Sequence, residues 1–441
     1  MFNVKKVLTI ITLMWCCALQ AQRHIVFSDN IASLQVVAGT RWQDMPIIRL
    51  HGNEPINIAF DELSHEYHRF SYSITHLDYD WKPSEGLFTS DYISGFQDGL
   101  TIESNEQSIN TIQNYTHYSL QIPNDKCRLT MSGNYRLDIR DENNSGETVL
   151  SVFFMVSEDL LKVGTGYIVN TDIDNRKSHQ QVEVNVDYSP LRATDPQRQI
   201  RGYVLQNGRW DNARPLPSPS RINQKMLEWV HCRDLIFDAG NVYHKFEILD
   251  IHRNSMNVEN NVWDAQNESW HTFVWPCYER RSYVYDEAAT GAFYIRNTDN
   301  YENNTTSEYT FVHFFLQADK MPGRLFLNGT WTNDRFLPEY EMVYDEEMKM
   351  YEGIVWLKYG YYSYQFLAFP DSTTTTDNPS LSNGVIIEGD VTQDENVGAN
   401  LIEPQIPKTE GSFFENRNTY TTLIYFRNNG DRTDRLVGVS R

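Results

Sequence analysis

His76, Asp78 and Asp80 stand two residues apart in this 441-residue chain. If residues 74–81 form a strand, that spacing sends an imidazole and two carboxylates to one face, where they can hold a metal ion. One His and two carboxylates do not define such a site. The preferred reading is a polar strand face or turn whose carboxylates accept backbone hydrogen bonds. His231 beside Cys232, and His271 close to Cys277, supply the residue types of a thiol nucleophile and its base. Neighbours on a strand point to opposite faces, however, and no orienting motif surrounds either pair. Gly164-Thr165-Gly166 lacks the third glycine and following helix of a dinucleotide loop, and there is neither a Gly-x-Ser-x-Gly elbow nor a His-Glu-x-x-His pair. No catalytic, metal or cofactor-binding residue is therefore assigned, and the chain is not expected to be an enzyme. The sequons at Asn114, Asn303, Asn304 and Asn328 carry no weight without knowledge of the host.

The elements that must position these residues read as strands. Tyr118, Leu120 and Ile122 alternate with polar residues, as do Tyr135, Leu137 and Ile139, and Leu150, Val152, Phe154 and Val156. This is the period of a sheet with one buried face. Val182, Val184, Val186 and Tyr188 repeat it, and no window of eleven or more residues carries a helical stripe. Aromatics make up 13% of the chain, which favours pleated half-buried surfaces over helices. The expected class is all-β, with several immunoglobulin-like or early-set β-sandwich domains in tandem and little helix. Polar, Pro- and Gly-rich stretches divide the chain into an N-terminal β-sandwich at 22–157, a middle β domain at 158–306 and a C-terminal early-set domain at 307–441.

Residues 1–21 have the layout of a secretory signal peptide: Lys5 and Lys6, the apolar run Val7 to Leu19, and cleavage after Ala21. The run is too short to span a bilayer comfortably, and a lipoprotein reading of Cys16 or Cys17 fails because no small residue precedes either. Removing this segment takes away two lysines and no acid, which moves net charge from -21 to -23. That acidity argues against nucleic acid or anionic lipid as a partner. The mature chain keeps Cys127, Cys232 and Cys277, so the fold rests on its core and not on a disulfide framework, although a Cys232–Cys277 bridge is one option.

The order of Leu325-Phe-Leu-Asn-Gly-Thr-Trp331, a meander, and Gly360-Tyr-Tyr-Ser-Tyr-Gln-Phe366 resembles early-set domains related to glycogen-binding modules. In those modules an exposed Trp stacks on a sugar ring, and Trp331 and Phe336 are the candidates for such a ligand surface here. Burial of Trp331 in the sandwich core is the favoured alternative.

A wider resemblance rests on the His76 to Trp81 run, Asn114 to Tyr118, Leu120-Gln-Ile-Pro-Asn124 and Ser132-Gly-Asn-Tyr135. It continues through Phe237 to Glu247, Phe311-Val-His-Phe-Phe-Leu316 and the closing Gly430-Asp-Arg432. In these the chain resembles the type IX secretion system plug protein family. The segment from Asn254 to Ser282, with Trp263, Trp270, Trp275 and Cys277, is the divergent part. The resemblance implies a non-enzymatic periplasmic protein, held at the outer membrane through a partner, that binds the translocon barrel and occludes its pore when no cargo is in transit. Edge strands and aromatic loops are the expected contacts. An exported carbohydrate-binding protein, with a polysaccharide as partner, is the alternative, and a secreted hydrolase comes third.

Overall fold

The structure is a computed structural model that describes residues 23–96, 99–370 and 403–440; the expected signal segment 1–21 lies outside them. Among the described residues strand occupies 47% and helix 5%, so the class is all-β, as the alternation implies. Among the described residues α-helix occurs as single turns such as Thr89–Tyr92 and Pro196–Gln199.

The first unit packs two sheets. One runs Ile25–Val26, Glu147–Ser157, Gly133–Asp141, Phe70–Leu77, Leu100–Thr101, with Ile47–Arg49 parallel to Glu147–Ser157; the other runs Ile31–Ala38, Ile56–Glu62, Thr116–Ile122, Ser104–Gln107. Tyr135, Leu137, Ile139, Val152 and Phe154 are fully buried between them, on the face their alternation marks. The opposite face of Glu147–Ser157 is not wet. Phe153 and Met155 join Leu205, Leu423, Tyr425 and Leu436 in a second core that fuses the first unit to the next. Gly133 sits at φ +141 against the His76 ring, where any Cβ would lie 2.5 Å from Nε2; only glycine allows that approach.

The middle unit departs from the expected division. Ile200–Gln206 pairs with Tyr420–Phe426, which pairs with Arg435–Val439, so the end of the chain returns to complete this unit's sheet. Residues before 306 likewise enter the third unit. His244–Ile248 and Phe293–Ile295 pair with Gly360–Phe369, while Val258–Asp264 and Ser269–Val274 extend the sheet of Tyr309–Gln317 and Met350–Lys358. Sheet membership therefore does not follow a cut at 306. Periodicity reports that a segment is a strand, but the pairing of strands hundreds of residues apart is set by which edges remain open in space.

Candidate functional site

The residues singled out for chemistry do not converge. The strand Phe70–Leu77 ends before Asp78, so the two-residue spacing does not place His76, Asp78 and Asp80 on one face. His76 is buried, with Nδ1 2.8 Å from Ser84 Oγ and Nε2 3.0 Å from the Ser132 carbonyl. Burial holds its pKa below the ordinary value, against the backbone hydrogen bond. Asp78 accepts hydrogen bonds from Ser84 Oγ (2.7 Å) and the Asp434 amide (3.2 Å), and Asp80 pairs with Lys82 at the surface. No group of three metal-ligating side chains occurs among the described residues. His231 is exposed and pairs with Asp172, while His271 faces His313 Nε2 at 2.8 Å. Cys232 and Cys277 are both free thiols, so the optional bridge between them is not formed.

Trp331 and Phe336 lie in the core, 8% and 3% exposed. Trp331 donates Nε1–H to the Ser363 carbonyl at 3.0 Å and stacks on Phe314, while Phe336 packs edge-on against Phe326 and Phe369. A sugar ring needs an open aromatic face, and these two have none. Their burial follows from the strand Arg324–Asn328, which carries Phe326 and leads the chain over the sandwich end into the turn Thr330–Thr332.

What the structure does bring together is a lock between the first and third units. Lys358 Nζ donates to Asp61 Oδ2 at 2.5 Å and to the Asn304 carbonyl at 2.6 Å, and both charged side chains are 1% exposed. Tyr309 OH donates to the same carboxylate at 2.7 Å, and His117 Nδ1–H to its other oxygen at 2.7 Å. The ammonium also sits 3.9 Å from the ring centre of Tyr115, whose hydroxyl reaches the Ser307 carbonyl at 2.8 Å. Burial opposes the charge on Asp61, but Lys358 and His117 outweigh it and hold the carboxyl below its ordinary range. Between the first and middle units, Arg435 clamps Glu158, Tyr425 OH donates to Asn134 Oδ1 at 2.7 Å, and Tyr79 stacks on Tyr203 at 4.6 Å. Between the middle and third units, residues 403–419 act as a strap. Asn416 reaches the Ala239 carbonyl of the middle unit at 2.7 Å, and Gln405 exchanges two backbone hydrogen bonds of 2.9 Å with Ala368 of the third.

The second feature is the outer face of the third unit's sheet. Strand register aligns three rows across it: Val343, Glu352, Phe315; then Ile354, His313, Phe273; then Trp356, Phe311, His271. Phe273 stacks on His313 at 4.4 Å and His271 on Phe311 at 5.2 Å. Ile354 is 47% exposed and Val343 68%. The outward face of a sandwich sheet is ordinarily polar, so an aromatic one is a surface that water covers at a cost. Sequence reasoning missed this face and the Asp61–Lys358 pair. The run Phe311 to Leu316, apolar on both sides apart from His313, was the available signal, since a strand apolar on both sides is normally covered on both.

Residues 31–158 match the sequence profile of the type 9 secretion system plug protein 1st domain, a span that coincides with the first unit. The chain belongs to the type 9 secretion system plug protein family. A hypothetical protein from Parabacteroides merdae, known from a crystal structure at 2.30 Å resolution, is similar to this plug-family chain at 33% identity. The match covers 95% of this chain and 98% of the other, with a TM-score of 0.85. No curated protein matches the chain. Membership suggests a plug role in type IX secretion, a non-catalytic protein, association with a translocon and a periplasmic place near the outer membrane. No helix among the described residues is long and apolar enough to cross a membrane.

Proposed function

We propose that this protein docks at the periplasmic opening of the type IX outer-membrane translocon barrel and closes its pore by steric occlusion when no cargo is in transit. The observation that carries the reading is the buried lock of Asp61, Lys358, Tyr309 and His117. A pore wide enough for folded cargo leaks small solutes unless its mouth is filled by something that does not deform. Separate sandwiches on flexible linkers would rotate out of the way. Units joined by close-packed cores and desolvated ion pairs move as one body.

Docking uses the aromatic outer face of the third unit. Burying Phe311, Phe315, Ile354 and Val343 against an apolar rim removes that surface from water, which supplies the driving force for association. The mature net charge works against anionic lipid, which leaves a protein surface as the better partner.

Two experiments test this. Affinity purification from solubilised outer membrane should recover a large barrel protein with the tagged chain. Deleting the coding region should raise small-solute leakage across the outer membrane of cells whose translocon is otherwise intact. Unchanged permeability there would count against occlusion.

A further inference from the structure

His244, Cys277, Arg280, Tyr364 and Glu410 meet where four segments cross: the strands His244–Ile248, Cys277–Tyr278 and Gly360–Phe369, and the strap 403–419. Cys277 Sγ lies 3.3 Å from His244 Nδ1, and the opposite ring nitrogen, Nε2, lies 3.0 Å from Glu410 Oε2. Tyr364 OH is 3.4 Å from the same sulfur. Glu410 is buried, accepts the Phe366 amide at 2.8 Å and pairs with Arg280 at 3.5 Å, while Arg280 Nη2 reaches His244 Nδ1 at 2.7 Å. His271 is the histidine near Cys277 in sequence; the fold gives the thiol His244 instead, from the strand on the far side of the sandwich.

A thiol on one imidazole nitrogen and a carboxylate on the other is the arrangement by which a histidine takes a thiol proton. Glu410 fixes the Nε2–H tautomer and so turns the Nδ1 lone pair toward the sulfur. Arg280 competes for that lone pair while the ring is neutral. Burial alone would push the Cys277 thiol up, but His244 and the Tyr364 hydroxyl carry it below its ordinary 9.0. Burial likewise opposes charge on His244, yet Cys277 and Glu410 raise it to about 9. The other two thiols serve as internal controls. Cys127 is fully buried and burial pushes it up to about 11, and burial also raises Cys232. Cys277 is partly exposed and lies between Trp275 and Tyr278, both open to solvent.

The geometry points to Cys277 as a nucleophilic thiolate, the site at which this chain forms a mixed disulfide with a small disulfide. The thiolate sulfur attacks one sulfur of the reagent, the reagent's S–S bond breaks as the new one forms, and the displaced thiolate leaves and takes up a proton. No further oxidant is needed. The inference does not depend on the plug reading.

The test uses the full mature chain. Incubated with oxidised glutathione, it should gain a glutathionyl adduct on Cys277 and none on Cys127, read by peptide mass spectrometry. Alkylation by iodoacetamide across a pH series should be at least about tenfold faster at Cys277 than at the other two thiols near neutrality, with a midpoint below 9.0. His244→Gln should slow it and move the midpoint to the ordinary value or above. Glu410→Gln, which keeps a hydrogen-bond acceptor for Nε2–H, should shift it less. The wild-type profile decides even if a variant fails to fold. A Cys277 rate equal to that of Cys232 at every pH, or a midpoint at or above 9.0, would overturn the assignment.

Discussion

The lock and the open aromatic face occupy the same side of the same two strands. Along Tyr309–Gln317 the residues Tyr309, Phe311, His313 and Phe315 share that side, and along Met350–Lys358 so do Lys358, Trp356, Ile354 and Glu352. At one end the first unit covers it, and Tyr309 and Lys358 are buried against Asp61. Beyond Trp356, which stacks on Tyr309 at 4.4 Å, nothing in the described residues covers it fully, and Ile354 and Val343 face solvent. One continuous aromatic surface thus serves two ends: where the chain covers itself it gives rigidity, and where it does not it offers a place to dock. What separates them is desolvation, because the same charge and ring types interact far more strongly once water is excluded.

The largest expected effect breaks the covered end. Lys358→Ala leaves the Asp61 carboxylate in the interface without its cation, and should destabilise the protein by about 3–5 kcal/mol in a denaturant titration. Replacing both partners, Lys358→Met with Asp61→Asn, should recover much of that, since the orphaned charge is then gone. A loss under about 1 kcal/mol in the single variant would mean that the units are not locked by this pair. Acid should break the same contact. The folded carboxyl of Asp61 titrates below its ordinary 3.8, so its contribution is present above that value and lost as pH falls through the folded pKa. The stability gap between wild type and Asp61→Asn should accordingly be constant near neutrality and close on acidification.

Trp331→Ala should cost about 3–5 kcal/mol, the range for emptying a large buried ring, and leave recovery of the barrel unaltered when the variant is folded. That outcome separates core from docking surface within one sandwich. Polysaccharide binding lost specifically in this variant, with stability unchanged, would instead restore the sugar reading. Tyr425→Phe removes one buried hydroxyl and leaves Asn134 without its donor. A loss of about 1–3 kcal/mol in the same titration is expected, with the fused core of Phe153, Met155 and Leu436 still intact.

These contrasts also mark where sequence was informative. The alternations at Tyr135 to Ile139 and Leu150 to Val156 located strands and core correctly, because a period of two survives any choice of partner strand. Partner choice itself was illegible: nothing in Tyr420–Phe426 states that its neighbour is Ile200–Gln206, and the boundary drawn at 306 followed turn composition where the sheets cross it. Trp331 and Phe336 carried the right residue types for a ligand surface, but type does not report burial. Asp61 and Lys358, and His244 with Cys277 and Glu410, lie hundreds or dozens of residues apart, so no spacing rule could pair them.

The smallest effect on stability should come from the uncovered end, and it is the most diagnostic. Phe311→Ser with Phe315→Ser removes two half-exposed rings without emptying a core, so the loss should stay near 1 kcal/mol per site or below. If the face docks, however, the variant should lose at least about 2 kcal/mol of affinity per anchoring ring, enough to abolish recovery of the barrel from solubilised membrane while the melting profile barely moves. Glu352→Gln, on the same face and at its polar edge, should change association rate and salt dependence more than final recovery. Equal recovery by the double Phe variant would place the docking surface elsewhere, with the exposed edge strand Val258–Asp264 the next candidate because its outer backbone groups are open to strand addition.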